Sequence, residues 1–285
     1  MSLTPNRRHW LEWLTGLSLT GTALAQTANK SPELVFGMVP YLPVQQLLRL
    51  YEPMVVLFEH TLNRPCRLAS AQNFDQFVER ARRGEFDLVG ASPHVARILH
   101  REESFAPMAR ATAPLEPVVI VPVNIQTKSL KDLAQRDVLV ADPFAVHVLI
   151  ALRAMRDQGL VPGRDVKLIV AGTQRNCVQR MLKGDAPAAV GSVSTLAILP
   201  PELTSQFRVL ARAPKGLTPM AYVAHPRMRP QVDPLTHALM TFPSTAEGQA
   251  LLKAAQHDGL TLLTPTELAS VDPLVTEYYR QRAGT

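Results

Sequence analysis

Aromatic residues and cysteine are both scarce in this sequence of 285 residues. Phe, Trp and Tyr make up 6% of the chain, and no cluster of basic and aromatic residues indicates nucleic-acid binding. The two cysteines, Cys66 and Cys177, lack the spacing of a metal or haem motif. No nucleophile stands with an identifiable acid–base partner. We therefore expect no catalysis, no cofactor, no metal site and no nucleic-acid partner.

Long apolar runs are also missing. The weakly apolar stretch 13–24 is too short for a permanent membrane anchor. It follows Arg7 and Arg8 and ends in Ala23-Leu24-Ala25, so residues 1–25 have the three regions of a secretory signal peptide. The arginine pair and the polar character of the stretch predict the twin-arginine export route, with an ordinary Sec signal as the alternative. Since no lipid-anchoring cysteine lies near the cleavage site, we expect a periplasmic protein.

The composition supports a sizeable core. Hydrophobic residues make up 46% of the chain, and about 260 residues remain after the signal peptide, enough for two lobes. The formal net charge of +6 is spread along the sequence, and it favours anionic over cationic solutes by long-range attraction.

Strand and helix patterns alternate between Val35 and Leu99 and again between Asp137 and Val193. The first strand stops at Gly37 and Pro40, and a helix is predicted over 44–62. Such alternation is typical of parallel sheets with crossover helices. Ligands of these folds bind outside the carboxyl ends of the strands, so we expect the site at those ends.

Short motifs at four places in the sequence carry a resemblance to a known protein family. They are Gly37-Met38-Val39-Pro40, Gly84-Glu85-Phe86-Asp87-Leu88, Ser129–Leu133 with Val140-Ala141-Asp142-Pro143, and Gly172 with Gly184-Asp185. With them the chain resembles the periplasmic substrate-binding proteins of phosphate, phosphite and phosphonate ABC transporters. The resemblance covers most of the mature chain. It implies an α/β, two-lobed type II periplasmic-binding-protein fold, in which each lobe is a mainly parallel sheet flanked by helices, closing over a small anion.

We place lobe 1 at 31–120 and 220–285, and lobe 2 at 121–219, with the first crossing in the apolar strand Pro117–Val123. Cys66 then lies in a strand of one lobe and Cys177 in a helix of the other. A disulfide needs Cα atoms within about 7 Å, so we predict two separate thiols.

The sequence departs from the family at the helix start that binds the ligand in relatives. Relatives have a hydroxyl-rich helix start after the Asp-Pro pair, whereas this chain has Phe144-Ala145-Val146-His147. The helix amides remain, and His147 either adds charge when protonated or is an ordinary groove histidine. This departure predicts weak binding of simple phosphonates and a different or larger anion as ligand. The small Gly90-Ala91, where an aromatic wall is common, predicts a roomier cleft.

Every candidate for ligand binding follows a predicted strand. Arg175 is either a bidentate clamp for an oxyanion or a solvated residue, and the hydroxyls near Ser192 either replace the lost donors or cap a helix. Ser92 is the expected N-cap of a helix that begins at Pro93. The full set is Tyr41, Ser92, His94, Phe144, His147, Thr173, Arg175, Ser192 and Ser194.

The resemblance implies a monomeric solute-binding protein that captures a small anion and passes it to a membrane permease. The alternative is a periplasmic sensor that presents its ligand-bound form to a membrane histidine kinase. Both roles use the same cleft, because they differ in the docking surface.

Overall fold

The structure is a computed structural model, and it describes residues 32–113, 115–213 and 219–284. The compact unit of the chain begins at Pro32. The predicted signal peptide over 1–25, including its arginine pair, lies outside the described residues.

The strands alternate with helices as the sequence predicts. In chain order the strands are β1 (Leu34–Met38), β2 (Cys66–Ala69), β3 (Leu88–Ala91), β4 (Ala106–Ala111), β5 (Pro117–Pro122), β6 (Arg136–Val140), β7 (Val166–Val170), β8 (Ala188–Ser192), β9 (Phe207–Arg212), β10 (Ala221–Ala224) and β11 (Leu260–Leu262). The α-helices are α1 (Val44–Leu62), α2 (Phe74–Arg82), α3 (Pro93–Glu103), α4 (Val146–Asp157), α5 (Gln174–Leu182), α6 (Val193–Ala197), α7 (Pro201–Thr204), α8 (Val232–Thr241), α9 (Ala246–Ala255), α10 (Pro265–Ala269) and α11 (Asp272–Ala283). Short 3-10 helices cover Leu130–Leu133, Pro226–Gln231 and Phe242–Ser244.

Two mixed sheets define two lobes. The first sheet has the order β11-β4-β10-β3-β1-β2 and the second β7-β6-β8-β5-β9. Parallel pairing is confined to β2-β1-β3 and β7-β6-β8, and the remaining neighbours are antiparallel. The two-lobed α/β fold is confirmed. In each sheet three neighbouring strands are parallel, and the other strands pair antiparallel, so both sheets are mixed.

The first crossing between the sheets lies earlier than we expected. Strand β4 ends at Ala111 in the first sheet, and β5 begins at Pro117 in the second. A boundary at 120/121 would cut β5, which is hydrogen-bonded on one side to β8 and on the other to β9. A strand with ladders on both sides belongs to one sheet, so the crossing falls between the end of β4 and the start of β5. The return lies between β9 and β10, beside the boundary we proposed at 219/220.

Helix starts follow local capping chemistry. Asn73 precedes α2, and its side chain accepts a hydrogen bond of 2.9 Å from the Gln76 amide. Thr173 does the same for α5 through the Asn176 amide at 3.1 Å. Ser92 holds the N-cap position of α3, as predicted, but its hydroxyl makes no capping bond.

The two cysteines are free and buried, as predicted. Cys66 opens β2 in the first sheet, and Cys177 lies in α5, packed against the second sheet. None of the described helices is long and apolar enough to cross a membrane.

The C-terminal helix α11 joins the two lobes. On the lobe 1 side, the Arg97 guanidinium binds the Asp272 carboxylate through two bonds of 2.7 and 2.9 Å. On the lobe 2 side, Arg156 Nε lies 2.9 and 3.1 Å from the two carboxylate oxygens of Glu277, a side chain only 1% exposed. Between them, the Tyr278 hydroxyl donates to Asp75 at 2.9 Å. Helix α11 is therefore a strut whose polar bonds fix lobe 2 against lobe 1.

Candidate functional site

The site is built where the parallel strands end. In the first sheet, β1 leads to Tyr41 and β3 leads to Ser92 and His94. In the second sheet, the other candidates follow the carboxyl ends of the equivalent strands, with Phe144 and His147 after β6, Thr173 and Arg175 after β7, and Ser192 and Ser194 after β8. The topology thus places every predicted candidate after a parallel strand, at the edge where open α/β sheets bind ligands.

The N-termini of α3 and α4 meet at the junction of the lobes. His94, in the first turn of α3, has its ring centroid 6.0 Å from that of Tyr278, whose ring lies 5.2 Å from Phe144. His94 also lies beside the Phe144 backbone, just before α4. Across the same junction, Asp142 accepts hydrogen bonds from the Phe144 amide at 2.8 Å and the Phe74 amide at 3.4 Å. The two helix starts, one from each lobe, therefore face a common region.

These helix starts hold donors that nothing in the described structure uses. The backbone amides of His94 and Val95 in α3, and of Val146 and His147 in α4, have no acceptor among the described residues. The buried Ser92 hydroxyl also lacks a partner there. Free amides and the positive end of a helix dipole attract an anion, and here two helices contribute together.

Two histidines line the same region in the neutral state. His94 is fully buried and His147 nearly so, and burial lowers their pKa values to about 3 and about 4. Both ring nitrogens of His94 and the Nε2 of His147 lack a partner among the described residues. His147 is thus uncharged at neutral pH, and the positive charge that we considered for it is absent.

Tyr41 is held by tyrosines that the sequence analysis did not identify. Its hydroxyl lies 2.8 Å from that of Tyr51 in α1, and its side chain is 40% exposed. Tyr222 of β10 completes the cluster, and burial raises the pKa of all three phenols. The hydrogen bond with Tyr51 orients Tyr41, whereas the buried Tyr222 hydroxyl lacks a partner among the described residues.

At Gly90, the residue behind the expectation of a roomier cleft, the structure leaves no free space beside the backbone. A Cβ atom at this position would lie 2.4 Å from Met38 Cε and 3.2 Å from Tyr222 Cε1. The space that glycine leaves is already filled by neighbouring side chains, which no local pattern in the sequence reveals.

The hydroxyls on lobe 2 are used within that lobe. The Gln174 side-chain oxygen accepts from the Ser192 amide at 2.7 Å, and the Ser192 hydroxyl lies 3.0 Å from that of Thr195. Thr173 caps α5. Arg175 and Ser194 are exposed, and neither contacts another candidate through any hydrogen bond between described residues. The structure therefore brings together Ser92, His94, Phe144 and His147, while the other lobe 2 candidates stand apart.

No group of three His, Cys, Asp or Glu side chains among the described residues could hold a metal ion. The unpaired polar atoms of the site are amide and hydroxyl donors and neutral imidazole nitrogens, whereas the nearby Asp142 carboxylate already accepts two backbone amides. This chemistry suits a small oxyanion.

The fold and the facing helix starts are those of a two-lobed solute-binding protein. The sequence profile of the family described as "ABC transporter, phosphonate, periplasmic substrate-binding protein" matches residues 36–268. The chain therefore belongs to this family. No curated protein matches the sequence.

Solved structures of the same fold cover nearly the whole chain. XAC2383 from Xanthomonas citri bound to ATP is 18% identical, covers 90% of this chain and 100% of its own, and has a TM-score of 0.77. The binding protein of a phosphonate ABC transporter from Pseudomonas aeruginosa is 15% identical, with 89% of each chain covered and a TM-score of 0.76. PhnD1 from Prochlorococcus marinus in complex with methylphosphonate is 13% identical, with 89% and 99% covered and a TM-score of 0.75.

Proposed function

We propose that this chain captures a small oxyanion of the phosphate or phosphonate class in the periplasm and delivers it to the permease of an ABC transporter. One observation carries the proposal: the starts of α3 and α4, from different lobes, face each other with unused amides and the unpartnered hydroxyl of Ser92. Family membership supports the periplasmic location and the transporter partner.

The proposed ligand would bind between the lobes and hold them together. Its oxygens would accept hydrogen bonds from both helix starts, so each lobe would contribute to one site. Closure around a ligand is the usual way in which two-lobed proteins convert binding into a change of shape. The occupied form would then be the form that the permease recognises.

Two serines at equivalent strand ends provide a matched test. Ser92 has a buried hydroxyl without a partner, whereas the Ser192 hydroxyl is bonded within lobe 2. Ser92→Ala should weaken oxyanion binding by roughly tenfold or more, since a bond to a charged acceptor contributes about 1.5–3 kcal/mol. It should leave the midpoint of urea unfolding almost unchanged. Ser192→Ala should instead lower that midpoint.

The measurement is calorimetric titration of the mature protein with phosphate, phosphite, methylphosphonate and aminoethylphosphonate, beside native mass spectrometry of protein purified from the periplasm. Mass spectrometry should show a co-purifying anion. Failure of every anion to bind, together with ligand-free purified protein, would contradict the proposed function. An unchanged affinity in Ser92→Ala would contradict the site at the helix starts.

A further inference from the structure

His94 has the largest unmet hydrogen-bonding capacity in the site. Its side chain is 0% exposed, and both ring nitrogens lack a partner among the described residues. Buried polar atoms are nearly always paired, and the adjacent Phe144 backbone can serve only one of the two nitrogens, so at least one of them calls for a partner that the protein itself does not supply. The ring belongs to the first turn of α3, beside the free amides.

The groups that surround His94 leave it neutral. The carboxylates nearest the junction are Asp142, which accepts backbone amides, and Asp75, which accepts the Tyr278 hydroxyl. Neither carboxylate forms a hydrogen bond or an ion pair with the His94 imidazole. Burial lowers the pKa of His94, and the adjacent Phe144 backbone opposes this shift only in part.

A neutral imidazole has one N–H donor and one bare nitrogen that accepts. The Phe144 backbone carbonyl is the neighbouring group that suits the N–H. The bare nitrogen then faces a region rich in donors that are suited to anionic oxygens, namely helix amides and the Ser92 hydroxyl. A ligand that satisfies both kinds of group needs anionic oxygens and one acidic hydroxyl on the same centre.

We propose that His94 selects an oxyanion that still has an acidic proton, a hydrogen phosphonate or hydrogen phosphate, over a sulfonate of the same shape. The proposal rests on the proposed function and assigns the specificity of that site to one residue. The P–OH group donates to the bare nitrogen of His94, and the remaining oxygens accept from the helix starts. A sulfonate has only acceptor oxygens, so it leaves the bare nitrogen buried and unpaired.

Binding of the protonated form of the ligand can also be detected by the proton that is taken up from the buffer. In solution above its second pKa, a phosphonate is a dianion, so it must gain one proton from the buffer to bind in the P–OH form. No other bond forms or breaks. Binding at alkaline pH is therefore accompanied by proton uptake that approaches one per ligand, and the uptake falls as the pH drops below that pKa.

The test compares methylphosphonate with methanesulfonate by calorimetry, in buffers of different ionisation enthalpy. We expect methylphosphonate to bind about tenfold or more tightly, since rejection of the sulfonate costs one unsatisfied buried acceptor. His94→Leu should bring the ratio of the two affinities close to one. His94→Asn, which keeps a side-chain acceptor and replaces the ring by a small polar group, should retain part of the ratio.

Two other buried histidines serve as controls. His147→Leu removes an unpartnered nitrogen on the facing helix α4, and it should change both affinities without changing their ratio. His257→Leu removes a buried imidazole after α9, outside the site, and should change neither affinity. Circular dichroism of each variant confirms folding.

Equal binding of the two anions by the wild-type protein would overturn the proposal, as would a ratio that His94→Leu leaves intact or that His147→Leu abolishes. Absence of proton uptake with methylphosphonate at alkaline pH would also overturn it. Each of these outcomes would contradict the selectivity assigned to His94 without contradicting the proposed function. Binding of neither anion to the wild-type protein would also overturn the selection by His94, whereas the proposed function would fall only if the four-anion titration and native mass spectrometry likewise found no bound anion.

Discussion

The ion pair between α4 and α11 should contribute more stability than any other ion pair of the strut. Glu277 is 1% exposed and Arg156 is 23% exposed, with Nε 2.9 and 3.1 Å from the two carboxylate oxygens. Arg156→Met removes the cation and leaves a buried carboxylate whose remaining partner, Arg280, is 3.6 Å away and well exposed. Breaking a buried pair costs about 3–5 kcal/mol. Because Arg280 remains, we expect about 2–3 kcal/mol.

The matched control is Arg97→Met, which breaks a bidentate pair on the same helix. Its partner Asp272 is 43% exposed, so water replaces the lost bonds and the cost should stay below about 1 kcal/mol. Both variants are measured by urea unfolding followed by circular dichroism. The double variant Arg156→Met/Glu277→Leu should regain most of the lost stability, because no charge is then left buried. Equal costs for the two single variants, or no recovery in the double variant, would refute the reasoning.

Four further predictions concern other parts of the chain. Cys66 and Cys177 should react with a thiol reagent only after unfolding and without prior reduction, because both are free and burial raises their pKa values to about 12; a thiol titration with and without reductant checks this. Changing Arg7 and Arg8 to Lys should leave precursor in the cytoplasm, and normal periplasmic accumulation in a fractionation experiment would exclude the twin-arginine route. Simple phosphonates should bind weakly, because the Ser192 hydroxyl is already bonded within lobe 2 and cannot replace the donors lost at Phe144–Val146; submicromolar affinity for any of them in the calorimetric series would contradict this. Stability should fall between pH 6.5 and 4, since unfolding lets His94, His147 and His257 take up protons that their folded-state pKa values of about 3, about 4 and about 4 exclude; His257→Leu should reduce the slope of that part of the curve of unfolding free energy against pH without removing it, and an unchanged slope would count against this.

Helices and strands whose apolar periodicity extends over many neighbouring residues could be predicted from the sequence. The helix α1, for example, has the predicted bounds Val44–Leu62. Strand β11 has only three residues, and no pattern in the sequence indicates it. Its strand character comes from pairing with β4, some 150 residues away in the chain, and no periodicity over three residues can indicate that.

The strand ends at which the candidate residues lie were predictable, but the contacts of those residues were not. Strand ends located the candidates, because the carboxyl edge of a parallel sheet follows from topology. Which hydroxyls are free depends on partners that only the folded chain supplies. Gln174 reaches Ser192 across 18 residues, and Tyr222 fills the space at Gly90 from the far end of the sequence. The sequence therefore could not distinguish Ser92, which is unpartnered, from Ser192, which is used internally.

Polar groups that stabilise the fold can be distinguished from those of the proposed binding site by whether they have hydrogen-bond partners. At the junction of the lobes, Asp75, Asp142 and Glu277 all have partners, so the strut and the contacts beside it are complete without a ligand. At the same junction, Ser92 and His94 are buried, and their side-chain polar atoms have no partner within the described part of the chain. A fold that pairs its buried carboxylates but leaves these atoms unpaired carries a cost that an oxyanion between the helix starts would remove. The groups on which we propose that binding depends are therefore ones that stability does not require, which is why Ser92→Ala and Arg156→Met should affect different measurements.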